Sequence, residues 1–208
     1  MIVTERISEV HNEDCMVGMA RYPDKWFDLA VVDPPYGISI NMNMGRKKGK
    51  AKTHDDKDWD GSAPDDQYFK ELFRVSQNQI IWGGNYFDLP PTKHVIFWDK
   101  LVAEGMSFSD GEIAWTSYDR AIKKWTYRNI TNDKIHPTQK PVALYDWIYK
   151  NYLPQGGKVI DTHLGSGSNR IAANKAGNID FTGFELDKDY YEAQEKRWKG
   201  FISQTRLF

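Results

Sequence analysis

Consecutive apolar residues recur along this chain in short runs, at positions 28–32, 79–82, 94–98, 112–115, 158–161 and 179–185, each bounded by small, polar or acidic residues. Continuous rather than alternating apolar character predicts strands covered on both faces, as in a mostly parallel sheet. Between the runs lie segments with helical spacing. Residues 64–75 group Tyr68, Phe69, Leu72, Phe73 and Val75 after an acid-rich start, which suits a helix N-terminus. Residues 141–152 open on Pro141, a residue favoured at the first helical position. Residues 168–176 stop at Gly177, which can adopt the left-handed conformation of a helix cap. Residues 189–198 form a last amphipathic stretch. Strand–helix alternation of this kind predicts an α/β, doubly wound, mostly parallel sheet in one domain.

Two segments break the pattern. Residues 41–61 are polar and rich in Lys, Gly and Asp, without apolar periodicity, and a loop of about 20 residues inside a compact domain is commonly functional. Residues 117–134 hold Arg120, Lys123, Lys124, Trp125, Tyr127 and Arg128 with no acid between Asp119 and Arg128. The bulk charge gives no hint of an anionic partner: 28 Lys and Arg face 29 Asp and Glu, for a net charge of −1. Any nucleic-acid binding must come from a local basic face. With 40% hydrophobic and 27% charged residues, a disordered tail, a fibre and a small disulfide scaffold are excluded. Cys15 is the lone cysteine, so an intrachain disulfide and a multi-thiolate zinc site are excluded too. Residues 1–6 lack the features of a signal peptide, and no apolar run approaches the roughly 20 residues that span a bilayer. A cytoplasmic setting is expected.

Directly after the first long apolar run stand Asp33, Pro34, Pro35, Tyr36 and Gly37. Ligands of open α/β sheets bind beyond the carboxyl ends of the strands, which places this segment at the mouth of a site. Proline has a fixed φ and no N–H, so the local carbonyls are held rigidly. Asp33 adds a second acceptor and Tyr36 a flat face. Two converging acceptors beside an aromatic plane suit an exocyclic amino group on a flat heterocycle. Accepting both of its N–H protons, at Asp33 and at the Pro34 carbonyl, frees the nitrogen lone pair from the ring. Read alone, the segment has a second, lesser reading as only a tight turn leaving a strand.

A second constellation lies further on. The run ending at Asp161 leads into Thr162, His163, Leu164, Gly165, Ser166, Gly167 and Ser168 and then a helical stretch, while the next run ends at Glu185. Glycines there let backbone approach a ligand, and the helix start offers free N–H groups. An acid at the end of the following strand commonly takes a ribose hydroxyl pair. The spacing differs from the Gly-x-Gly-x-x-Gly of pyrophosphate binders, and Asp161 would repel a diphosphate while attracting a cation. S-adenosyl-L-methionine has a ribose, an ammonium, a sulfonium and no phosphate, and it fits these residues.

Together these residues resemble the β-class amino-methyltransferases of DNA, the enzymes of adenine N6 and cytosine N4, and in particular their small phage-type members. Asp33-Pro34-Pro35-Tyr36 resembles the catalytic motif; His136-Pro137-Thr138-Gln139-Lys140-Pro141 resembles the segment entering the first helix of the cofactor half; Asp161 to Ser168 with Phe184-Glu185-Leu186-Asp187 resembles the cofactor loop and ribose acid. They stand in the order of that class. Asn12-Glu13-Asp14-Cys15 looks like its adenine-contacting entry, and Trp82-Gly83-Gly84-Asn85-Tyr86-Phe87 like a strand-end segment of the small members. The family loop usually reads Asp-Pro-Phe where Asp161-Thr162-His163 stands here, a departure that leaves the ring and backbone of His163 to face the cofactor. His136 and Lys140 serve the cofactor or only shape the turn before Pro141.

The resemblance implies a Rossmann-like S-adenosylmethionine-dependent methyltransferase fold. Its catalytic region spans residues 1–40, recognition insertions 41–61 and 117–135, and the cofactor half 136–208. Cofactor contacts are expected from Asp14, Cys15, Asp33, His136, Lys140, Asp161, His163, Gly165, Ser166, Gly167, Ser168, Glu185 and Leu186. The partner it implies is double-stranded DNA, gripped by Arg46, Lys47, Lys48, Lys50, Lys52, Arg120, Lys123, Lys124, Trp125 and Arg128. Relatives are often homodimers; neither a membrane nor a metal is called for. The aspartate form of the catalytic motif is associated mainly with adenine, so Asp33 points to N6. A duplex adenine must be flipped out to reach a methyl donor, with Tyr36 stacking on it and Trp59 or Tyr86 assisting. Rival readings are a cytosine-N4 enzyme, an RNA adenine enzyme, a protein glutamine methyltransferase (whose motif order is reversed), and a non-catalytic DNA-binding subunit on the same scaffold.

Overall fold

The computed structural model describes residues 6–38, 63–102, 109–128, 135–136 and 138–205. The basic run Arg46 to Lys52, Trp59 and Pro137 lie outside the described residues. The elements, in order, are β1 (Ser8–His11), α1 (Cys15–Met19), β2 (Phe27–Val32), α2 (Asp66–Val75), β3 (Ser76–Trp82), a 3-10 turn (Gly84–Tyr86), β4 (Val95–Asp99), β5 (Gly111–Thr116), β6 (Lys123–Thr126), α3 (Val142–Tyr152), β7 (Gly157–Asp161), α4 (Ser168–Ala176), β8 (Ile179–Phe184) and α5 (Lys188–Thr205). One eight-stranded sheet runs β1-β8-β7-β2-β3-β5-β4-β6. The β3–β5 and β5–β4 pairings are antiparallel, and the others are parallel.

The continuous apolar runs are strands buried on both faces. Leu29 and Val31 of β2 join one core with Ile80, Trp82, Leu144 and Ile148, while Ala30 and Val32 join a second with Ile81, Tyr68, Leu72 and Met19. Successive side chains of a strand point to opposite faces, so an unbroken apolar run feeds both cores. α3 and α4 cover the first face, and α1 and α2 the second. Each predicted strand and helix is present. α2 starts where the Asp65 side chain accepts from the Tyr68 N–H at 3.0 Å. α4 stops at Gly177, whose φ of +74° is left-handed.

Three elements escape the apolar pattern. β1 is short and half-exposed at one edge of the sheet, and α1 is a single capped turn and a half, with Asp14 accepting from the Met16 N–H at 2.7 Å. β6 lies inside the stretch expected to be an irregular insertion. It is instead the other edge strand, parallel to β4; charged residues on a sheet edge discourage pairing with other chains, and they hide the strand from an apolar reading.

β2 continues through α2 to β3 on one side, and β7 continues through α4 to β8 on the other, yet β2 and β7 are neighbours. The chain therefore reverses its winding between them, and the crevice beyond their carboxyl ends is where open α/β sheets bind ligands. A tight contact braces one wall of it. A Cβ on Gly18 of α1 would lie 2.1 Å from Cε1 of Phe184, the fully buried residue before Glu185. Gly18→Ala is expected to cost about 1–3 kcal/mol by overpacking, read as a drop of several degrees in the melting temperature. An unchanged melting curve would refute that packing.

Candidate active site

Asp33 leaves the end of β2 with its side chain one-fifth exposed. Both of its oxygens are engaged: the Tyr36 hydroxyl donates to Oδ1 at 2.7 Å, and the Lys140 ammonium contacts Oδ2. Lys140 Nζ also lies 3.1 Å from Oε2 of Glu112, whose Oε1 is 2.5 Å from Lys100 Nζ. β5 runs antiparallel to β4, so its beginning, not its end, reaches the crevice and delivers Glu112 there. Burial pushes the Asp33 carboxyl up against the pull of Lys140. Burial also opposes ionisation of Glu112, but the two ammonium groups outweigh it and hold that carboxyl below its usual value.

The Tyr36 ring stacks on Tyr86 with centroids 4.9 Å apart and planes 13° from parallel, and meets Phe87 edge-on at 6.1 Å. Tyr86, expected beside Tyr36 as a second platform, thus covers Tyr36 itself. Gly83 must be glycine: its φ is +70°, and a Cβ there would lie 2.2 Å from the Tyr36 ring.

Across the winding reversal, Asp161 ends β7 with its carboxylate turned into its own loop. Oδ1 accepts from the His163 N–H at 3.1 Å and Oδ2 from the Asn169 amide at 2.9 Å. Burial pushes this carboxyl up to about 7. Gly165 and Gly167 take φ of +52° and +71°, and the loop is tied to β8 by Glu185, whose Oε2 accepts from Gly165 N–H at 2.8 Å and whose Oε1 accepts from Asp187 N–H at 2.9 Å. Burial pushes Glu185 up as well. His136 sits against this loop, 3.7 Å from where a Gly165 Cβ would stand, and packs on Tyr190 at 4.4 Å.

Thr162 and His163, which stand where the family pattern has Pro and Phe, are held by hydrogen bonds. The Tyr68 hydroxyl bonds Thr162 Oγ1 at 2.7 Å, and Thr162 Oγ1 bonds His163 Nδ1 at 2.9 Å. Desolvation lowers His163 to about 4, so its ring is neutral at pH 7. Asp14 stays at the α1 N-cap, beside Cys15, whose thiol is pushed up to about 12 by burial and then by Asp14. Leu186 is 70% exposed, an apolar side chain held in the open at the rim.

Several of the residues expected at ligands have partners within the chain. Lys140, expected at the cofactor loop or the turn before Pro141, is directed to Asp33 and Glu112, because an ammonium 2% exposed needs carboxylates. The hydroxyls of Ser166 and Ser168 bond each other at 3.1 Å, and Arg197 of α5 donates to Ser166 O at 2.8 Å and Ser168 Oγ at 2.9 Å. Among the residues expected on DNA, the Trp125 ring packs against Trp98 and Trp147. Lys124 pairs with Asp99 at 2.7 Å. Arg120 lies over Tyr118 and Tyr152 at 5.0 and 5.3 Å. Arg128 donates to the Leu101 carbonyl at 3.0 Å. Lys123 is exposed. Glu112, Lys100, Tyr68 and Asn169 were not anticipated as parts of the site; Glu112 carried a faint signal, an acid opening an otherwise apolar strand.

This fold, with an acidic motif after β2 and a glycine loop after β7, is that of the Rossmann-like methyltransferases. The family model for DNA methylases of the N6/N4 type matches residues 81–196, more than half of the chain, and the chain belongs to that family. YubD of Escherichia coli (strain K12), a methylase by name, is 25% identical over 206 residues, covering 88% of this chain and 87% of that protein. The structure of M1.HpyAVI in complex with SAM superposes with a TM-score of 0.59 at 17% identity, over 91% of this chain and 98% of that one. The PvuII DNA methyltransferase, named as cytosine-N4-specific, gives 0.60 at 12% identity, over 92% and 86%. Among the described residues, no group of three or more His, Cys, Asp or Glu is placed to hold a metal ion, and no helix is long and apolar enough to cross a membrane.

Proposed function

We propose that this chain is a single-domain DNA methyltransferase that uses S-adenosyl-L-methionine to methylate the N6 amino group of adenine. The observation that carries this reading is the Asp33 carboxylate, held by Tyr36 and Lys140 in the crevice beside the Gly165 loop. A carboxylate at that position is a strong acceptor for an amino N–H. The cofactor fits the opposite wall: Glu185 presents a carboxylate with lone pairs beyond the two backbone N–H bonds it accepts, as a ribose diol requires. Asp14, Asp161 and Glu185 favour a cationic ligand there. When bound, S-adenosyl-L-methionine supplies the methyl group.

The residues of this chain would do the rest. An adenine flipped from the duplex enters beside Tyr36 and Tyr86, whose stacked pair offers a flat surface to a base. Asp33 accepts one amino proton and the Pro34 carbonyl the other, turning the nitrogen lone pair toward the methyl carbon. Alignment supplies much of the rate of an in-line displacement. Asp33 also stabilises the positive charge that grows on the nitrogen, and takes up the proton released afterwards. The partner is double-stranded DNA, with the run from Arg46 to Lys52 and exposed Lys123 as phosphate contacts.

The second reading, cytosine N4, rests on the fold shared with the PvuII enzyme, and the fold does not separate the two bases. Digesting DNA from cells that express the protein and separating its nucleosides by mass spectrometry decides the matter. N6-methyladenine is expected. N4-methylcytosine in its place would establish the second reading, and no new methylated base in any DNA tested would favour an inert scaffold.

A further inference from the structure

We propose that Lys140 and Glu112 act as a charge-balanced pair of positioning residues that orient the Asp33 carboxylate and set the charge felt by the target amino group. The proposal rests on the reading that Asp33 accepts a proton of that group. Lysine is almost never fully buried without a partner, and Lys140 has 2% of its side chain exposed, with its ammonium between Asp33 Oδ2 and Glu112 Oε2. It also lies over the ring of the fully buried Trp82, 5.4 Å from the centroid. A second ammonium, Lys100, closes the row on the far oxygen of Glu112. Carboxylate, ammonium, carboxylate and ammonium thus alternate from the crevice outward.

This row has two consequences for the chemistry. Lys140 on one oxygen and the Tyr36 hydroxyl on the other fix the plane of the Asp33 carboxylate, so the remaining lone pairs have one direction in which to accept. Positive charge also develops on the amino nitrogen during methyl transfer. A lone ammonium behind Asp33 would cancel the carboxylate and oppose that charge. Glu112 offsets Lys140 and Lys100 balances Glu112 at the far end of the row, so the row is neutral as a whole and presents its negative end, Asp33, to the substrate.

The pH dependence of methyl transfer separates this role from packing. The titratable groups facing Asp33 are Tyr36 on its own loop, Lys140 before α3, Glu112 on β5, Tyr145 on α3, Tyr68 on α2 and Asp161 on β7. The three tyrosines are held above their ordinary value by burial and stay neutral in the working range. Asp161, at about 7, is common to every variant. Asp33 must be ionised to stabilise the charge that grows on the nitrogen and to take up the released proton, so its titration forms the acid limb of the kcat profile. Lys140 favours the carboxylate and Glu112 disfavours it. Lys140→Met is therefore expected to move the acid limb to higher pH, and Glu112→Gln to lower pH.

Both substitutions should lower kcat by roughly tenfold or more, about 1.4 kcal/mol, with cofactor affinity within about twofold of wild type. Lys140→Arg, which keeps the charge, should leave the limb near its wild-type position. Limbs that do not move, or that move in the same direction in both variants, would overturn the proposal. Should Lys140→Met fail to fold, the near-isosteric Glu112→Gln decides alone: a limb shifted to lower pH supports the proposal and an unshifted one defeats it. Asp33→Asn in the same assay distinguishes the two levels of the argument. Substantial activity in that variant removes the underlying reading, whereas inactivity combined with unmoved limbs removes only the roles of Lys140 and Glu112.

Discussion

Asp33→Ala is expected to reduce methyl transfer by about a hundred- to a thousandfold, the loss typical of removing a preorganised electrostatic contact aimed at developing charge, while cofactor binding is retained. The physical reason is that, on the proposed reading, the side chain serves the target amine; its place among the expected cofactor contacts is what the cofactor titration tests. Its oxygens face Tyr36 and Lys140, across the winding reversal from Glu185 and the Gly165 loop. Removing it leaves Lys140 paired with Glu112 alone, so the negative charge that faces the substrate amine is lost and an ammonium stands nearest to it. The measurements are single-turnover transfer of labelled methyl groups to DNA and calorimetric titration with the cofactor. Retained turnover would sink the mechanism; joint loss of turnover and cofactor binding would assign Asp33 to the cofactor instead.

Glu185→Ala should produce the complementary result. Each Glu185 oxygen accepts a backbone N–H, from Gly165 and from Asp187, and hydrogen bonds to charged groups contribute about 1.5–3 kcal/mol each. Losing them frees the loop at Gly165 and deletes the acceptor for a ribose diol. Cofactor affinity is expected to fall by about 10–100-fold, at a decade per 1.4 kcal/mol. Glu185→Gln should lose less, because the amide oxygen still accepts one of the two bonds. Under saturating cofactor the kcat of Glu185→Ala should recover most of its wild-type value, in contrast to Asp33→Ala. Unchanged affinity in Glu185→Ala would show that the ribose acid lies elsewhere.

Much of the site was legible because its parts are local. Asp33 and Tyr36 are three residues apart, and a turn leaving a strand brings them to hydrogen-bond distance whatever surrounds them. Gly165, Gly167 and Glu185 follow from one strand–loop–helix–strand unit, whose geometry is set over short range. The strands that feed both cores were equally plain, since Leu29 and Val31 on one face and Ala30 and Val32 on the other leave no polar gap in the run.

Other features depend on what a residue meets across the fold. Lys124, Trp125 and Arg128 read as a loose cationic grip, yet an edge pairing with β4 sets Trp125 against Trp98 and Lys124 against Asp99. Ser166 and Ser168 read as ligand contacts, and Arg197, from a helix that follows the next strand, also donates to the Ser166 carbonyl and the Ser168 hydroxyl. Thr162 and His163 read as a weak point in the loop, and Tyr68 of α2 turns them into a hydrogen-bonded brace.

Hydrophobic period and turn chemistry act between near neighbours, and they were enough for the doubly wound class, for six of the eight strands and four of the five helices among the described residues, and for the two motifs on either side of the crevice. That Lys140 belongs to Asp33, with Glu112 behind it, is visible only across the fold. That pairing depends on the antiparallel placement of β5, which delivers the start of a strand to the edge where its parallel neighbours end. Strand direction follows from how the whole sheet closes its cores, and the buried ammonium then takes the carboxylates within reach, since leaving it unpaired in that interior would cost several kcal/mol.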